Sequence, residues 1–163
     1  MKEKNMTYEI CSDLERVSEI VKKIVDLISP FMDSTYMIEV ALYEAIYNAI
    51  EHGNLEITRN KKESLINNGK YDTYLAEKML EQKNCNRKVK IVSTVSEKSF
   101  TVIVEDEGKG FDWKKEIGIL KAEKIKKESG KYNGFGLKII TSAFDEVRYN
   151  NKGNKLTVVK HLN

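Results

Sequence analysis

An α+β two-layer sandwich is the fold that this sequence predicts, on three observations. Two long helical patterns occupy the first third of the chain, an alternating hairpin pattern follows after a polar excursion, and a short helix with two closing strands ends it. The 163 residues suit one domain, and 40% hydrophobic with 33% charged residues is a globular composition. Lys and Arg number 28 against 25 Asp and Glu, and a net charge of +3 is too small for a dedicated polyanion binder, so nucleic acid is not expected as a partner. Cys11 and Cys85 are the only thiols and have no metal or redox spacing. The first residues lack the apolar core of a signal peptide, and no uncharged apolar run approaches the ~18 residues that span a bilayer. A cytoplasmic protein with free thiols and no membrane association is expected.

Each element has its own signal. Thr7 to Cys11 reads as a strand, and Ser12-Asp13-Leu14-Glu15 as a capping box opening a helix. Leu14, Val17, Ile20, Val21, Ile24 and Ile28 keep helical spacing as far as Pro30, which ends it. With Asp33 as N-cap, a second helix follows the spacing of Ile38, Leu42, Ala45, Ile46, Ala49 and Ile50 until Gly53, read as its stop. From about Leu55 to Arg87 the chain turns polar, with helical patterns over Lys62 to Asn67 and Tyr71 to Gln82 parted at Gly69. This is an inserted excursion within one domain of residues 1–163. Val89 to Val95 and Phe100 to Val104 form the hairpin, Gly136 to Ala143 a helix, and Glu146 to Tyr149 and Lys155 to His161 the closing strands around Asn151-Lys152-Gly153-Asn154.

Three constellations could carry chemistry. Glu44, Asn48 and His52 fall at i, i+4 and i+8, a polar row on an otherwise apolar helix. A carboxylate there could deprotonate a nucleophile, and an amide oxygen one turn on could ligate magnesium. Alone, such a row is more often a solvated face. Asp106, at the end of a strand, is followed by Gly108 and Gly110; an Asp so placed can accept from an exocyclic amine such as adenine's, and bare backbone can approach a flat ligand. Gly134-Phe135-Gly136-Leu137 opens a helix whose free N–H groups could hold a phosphate. Either glycine pair alone is a weak signal; their order and placement after the Glu44–Asn48 helix is specific.

In that order the motifs resemble the GHKL ATPases, the superfamily of gyrase, Hsp90, MutL and histidine kinases. Within it, Glu44-Ala45-Ile46-Tyr47-Asn48-Ala49-Ile50-Glu51-His52-Gly53 looks most like the anti-sigma-factor serine kinases of bacterial partner switching. The resemblance covers nearly the whole chain. It implies a mixed, mostly antiparallel sheet with helices on one face, and ATP and magnesium as cofactors. It makes Asn48 the magnesium ligand and Glu44 the general base. Asp106 would read the adenine amine, Gly108 and Gly110 would floor the base pocket, and Gly134, Phe135, Gly136 and Leu137 would cover the phosphates. Thr157 would help to hold the adenine through water. Residues at about 112–133 would form a lid, where Lys114 to Lys131 carries seven Lys against three Glu.

Three positions depart from the family pattern. Glu51 stands where histidine kinases often carry a base directed at phosphate, and charge repulsion would turn it away from ATP. Phe135 replaces an Arg or small residue, which removes one phosphate contact. The insertion at about 55–87 is absent from the smallest anti-sigma kinases and reads equally as a docking surface or a structural elaboration. Trp113 is read as core packing ahead of a hinge anchor for the lid. The implied activity is phosphorylation of a small anti-sigma antagonist, with a sigma factor as a further partner and homodimerisation left open. The rival readings are a non-catalytic ATP-gated interaction module and the catalytic domain of a split histidine kinase.

Overall fold

The computed structural model describes residues 3–81, 86–118 and 135–162. Five strands, β1 (Lys4–Cys11), β2 (Lys88–Val95), β3 (Ser99–Glu105), β4 (Glu146–Tyr149) and β5 (Lys155–His161), form one sheet in the order β1-β2-β3-β5-β4. Every pairing among them is antiparallel, in keeping with the mostly antiparallel sheet of the expected α+β sandwich. The closing strands have the bounds that the alternation predicts.

The helices are α1 (Glu15–Ile28), α2 (Tyr36–Asn48), α3 (Arg59–Asn67), α4 (Tyr71–Leu80) and α5 (Phe135–Ala143). The stripe Val17, Ile20, Val21, Ile24 and Ile28 of α1 is buried, as are Ile38, Ala41, Leu42, Ala45 and Ile46 of α2. They pack with Leu156, Val158 and the inward residues of β2 and β3, among them Ile91, Phe100, Val102 and Val104, in one core. Strand alternation leaves the other face, including Lys90, Thr101 and Thr157, only partly covered or exposed. Two layers are the result.

Both predicted N-caps differ. Helix α1 starts after Leu14, and Asp13 Oδ1 accepts from the Glu15 N–H at 3.0 Å, while Ser12 Oγ is buried without a partner. The box therefore does not close: Asp13 takes the amide that would have kept Ser12 in the cap. Helix α2 is preceded by Thr35 in place of Asp33, with no side-chain cap. Nor does Gly53 stop α2. The chain widens into a π-helical turn over Ala49–Asn54 and turns away after it. Gly69, at φ +64°, does separate α3 from α4 as the sequence predicts.

Candidate functional site

The wide turn after α2 brings Gly53 against Asp106. A Cβ at Gly53 would lie 2.6 Å and 2.7 Å from the two carboxylate oxygens, and one at Gly108 would strike the Gly53 carbonyl. These glycines serve close approach of backbone to carboxylate, which explains why the chain needs Gly53 although its helix does not end there. Asp106 Oδ1 accepts the Gly108 N–H at 2.8 Å. The residue continues the inward alternation of β3 and is 8% exposed.

Two turns interlock around it. Asp106 N–H donates to Asn154 O at 2.9 Å, and Asn154 Nδ2 donates back to Asp106 O at 2.6 Å. Asn150 Oδ1 gathers the N–H groups of Gly153 (2.8 Å), Asn154 (3.1 Å) and Lys155 (3.3 Å). Gly110 (φ +77°) abuts the Lys152 carbonyl and Gly153 (φ +79°) the Phe111 carbonyl, and the left-handed backbone admits no side chain at either without strain. Asn54, wholly buried, accepts the Glu107 N–H on Oδ1 at 2.9 Å. Gly53, Asn54, Asn150, Asn154 and Gly153 thus build the site, and sequence reasoning missed them; the Asn-rich turn was visible, but not what it braces.

Burial pushes the Asp106 carboxyl up to about 6, against the opposing pull of the Gly108 N–H and Lys152. The Tyr149 phenol is also raised, by burial first and by Asp106 second. A carboxyl whose folded pKa lies above its ordinary 3.8 stabilises the fold fully below 3.8 and loses that contribution as pH rises through about 6. Asp106→Asn keeps an acceptor for Gly108 but carries no charge. It should melt above the wild type at pH 8, with the gap shrinking as pH falls through 6 toward 4 in a thermal-melt series. A constant gap would mean that ionised Asp106 carries no burial penalty.

Glu44 and Asn48 meet the other glycine motif. A Cβ at Gly136 would lie 2.5 Å from Glu44 Oε2 and 3.3 Å from Asn48 Nδ2, so the first turn of α5 rests on both side chains. Both are half-buried, and among the described residues neither makes a hydrogen bond or ion pair. Leu137 is buried in the helix layer, while Phe135 is exposed beneath Lys138, whose Nζ lies 5.6 Å from its ring. Gly134 and most of the expected lid lie outside the described residues, as does Cys85.

The remaining expectations part from this cluster. His52 lies in the wide turn after α2, where its Nδ1–H donates to Ile57 O at 2.5 Å. Glu51 is buried and bound by Lys62 and Tyr71 of the insertion. Thr157 pairs opposite Ile103, on the face of the sheet away from Asp106; the β5 residue on Asp106's side is Leu156, opposite Val104. Adenine contact through Thr157 does not fit that register. Trp113 is half-buried outside the core and stacks on Tyr149 with centroids 6.1 Å apart, while Phe111 meets the same ring edge-on at 5.1 Å. With Phe111 it holds the chain at residues 111–113 to Tyr149 of the edge strand β4.

Residues 10–160 match the histidine kinase-like ATPase domain family. The chain belongs to that family. No curated protein matches the sequence. As a histidine kinase-like ATPase domain the chain binds ATP. No described helix is long and apolar enough to cross a membrane.

Proposed function

We propose that this histidine kinase-like ATPase domain is a magnesium-dependent protein kinase of the anti-sigma type, which phosphorylates a serine or threonine on a small antagonist protein and has a sigma factor as a second partner. The observation that carries the reading is Glu44: a carboxylate without a partner among the described residues, one helical turn before Asn48 and against the N-terminal turn of α5. A domain that only bound nucleotide would gain nothing from an unpaired carboxylate there. A base that takes the proton from an attacking hydroxyl requires one.

Magnesium fits the residues present. Asn48 supplies an oxygen suited to a hard cation, and no cluster of three or more His, Cys, Asp or Glu able to hold a metal occurs among the described residues. Asn48 would hold the ion together with the phosphates; when bound, it supplies neutralisation of phosphate charge. The chain's own residues do the rest: Asp106 orients the base, the α5 N-terminus faces phosphate, and Glu44 receives the hydroxyl proton.

Incubating the purified domain with labelled ATP, magnesium and the product of a neighbouring antagonist gene should give acid-stable phosphoserine or phosphothreonine on that protein. Asn48→Ala should abolish the magnesium dependence of ATP binding. Tight ATP binding with no transfer to any such partner would replace the kinase by an ATP-gated interaction module, and acid-labile phosphohistidine would point to a split histidine kinase.

A further inference from the structure

The insertion carries neither glycine motif, yet its polar contacts end on the frame of the nucleotide site. Glu51, 4% exposed in the turn after α2, accepts from Lys62 Nζ of α3 and from the Tyr71 hydroxyl of α4. Burial and then Glu51 raise the Tyr71 phenol, which keeps it a donor. At the entry to the insertion, Glu56 adopts φ +54°, rare for a residue with a side chain, and pairs with Arg87 at 2.9 Å and with Lys109 of the glycine loop at 3.1 Å. At the exit, Arg87 donates to the carbonyl of Asn54 at 2.5 Å, the same Asn54 whose side chain holds the Glu107 N–H beside Asp106. Arg59 of α3 reaches Glu116, at the start of the lid segment, at 3.1 Å.

Against these contacts stands little apolar burial. Neither α3 nor α4 buries a residue fully, and Tyr74, Leu75 and Met79 meet the core only in part. Elements held this way open at low cost compared with the core. The attachment through Glu51 is the buried one: losing it takes the acceptor from the half-buried Tyr71 hydroxyl and the ion-pair partner from Lys62, on two different helices.

We propose that Glu51 is a positioning residue: it latches the α3–α4 insertion onto the end of α2, and the latched insertion holds the Asp106 loop and the lid entry in their nucleotide-binding arrangement. Insertion docking and nucleotide binding are then one coupled equilibrium, through which a protein that grips α3–α4 would speed or slow nucleotide release. Coupling is reciprocal, so the factor by which nucleotide favours the docked insertion equals the factor by which undocking weakens nucleotide. This does not depend on the kinase reading; it rests on nucleotide binding at the Asp106 loop.

The test joins equilibrium titration and stopped-flow release of fluorescent ADP to hydrogen exchange resolved over residues 59–81. Glu51→Ala should raise exchange in α3 and α4 while leaving β2 and β3 protected, and should weaken ADP affinity about tenfold, within the ~5 to 150-fold range of measured couplings, with faster ADP release. Glu51→Gln, which can still accept from Tyr71, should fall between it and the wild type. Bound ADP should slow exchange of α3 and α4 in the wild-type chain. Freed exchange in the insertion with unchanged ADP affinity overturns the proposal, and so does an insertion that ADP fails to protect. Should Glu51→Ala not fold, Tyr71→Phe leaves α2 untouched and is read by the same two criteria.

Discussion

Replacing Glu44 with alanine is expected to lower phosphoryl transfer by ~100 to 10,000-fold, the usual worth of a general base, while ATP affinity stays within a few-fold. Its Oε2 lies 2.5 Å from where a Gly136 Cβ would stand, against the first turn of α5 and beside Asn48, which on the proposed reading is the phosphate end of the site. Glu44→Gln keeps the shape and removes the basicity, and should fall nearly as far as alanine. Gly136→Ala offers a second route to the same group. Its methyl would arrive 2.5 Å from Oε2, and because that atom ends a flexible side chain the carboxylate can swing aside at the expense of its aim. Turnover should drop with the fold intact. Single-turnover transfer from labelled ATP, set beside equilibrium binding, separates the effects; parallel loss of binding in Glu44→Gln would make Glu44 a structural residue.

The parts of this site that the sequence disclosed are those governed by local periodicity. Alternation placed Val102, Val104 and Asp106 along one inward line, and the three-four spacing of α2 put Glu44 and Asn48 on one side of it, since neither pattern depends on distant partners. Where two local options competed, tertiary contacts chose. Asp13 displaced Ser12 at the start of α1 because both offer an oxygen to the same turn. Gly53 carries the signature of a helix stop, yet its use is to admit the Asp106 carboxylate, a contact between residues 53 positions apart that no window reveals. Separations of 53 and 48 positions hid Asn54 and Asn154 in the same way. Thr157 shows the period-two rule acting against a family expectation: its neighbours Leu156 and Val158 fill the core, so Thr157 must face the other way. Trp113 is apolar enough for the core, but Tyr149 offers a stacking partner at the edge of the sheet and holds it there. Glu51 was legible as a misplaced charge; that the insertion supplies its two donors was not.

Discrimination between ATP and GTP should be the largest effect at the other end of the site, on the order of 10,000-fold in affinity at pH 8, as for pockets built to bond one polar group of a ligand. One Asp106 oxygen is engaged by the Gly108 N–H, and the bare backbone of Gly53 and Gly108 crowds the carboxylate so that it cannot turn to a new partner. Adenine presents an amine that the ionised carboxylate can accept from. Guanine presents a carbonyl at that position, which would leave two acceptors facing each other out of water. The same burial that raises Asp106 to about 6 makes this selectivity depend on pH. Below 6 the carboxyl gains a proton and becomes a donor, which suits a carbonyl and no longer repels it, so the ATP preference should narrow markedly between pH 8 and pH 5. Calorimetric titration of both nucleotides at the two pH values reads this directly, with Asp106→Asn as the variant whose side chain does not titrate. Equal affinities at pH 8 would remove Asp106 from base recognition. A preference that persists unchanged at pH 5 would show that the pocket selects by shape at Gly53 and Gly108 and not by the proton on Asp106.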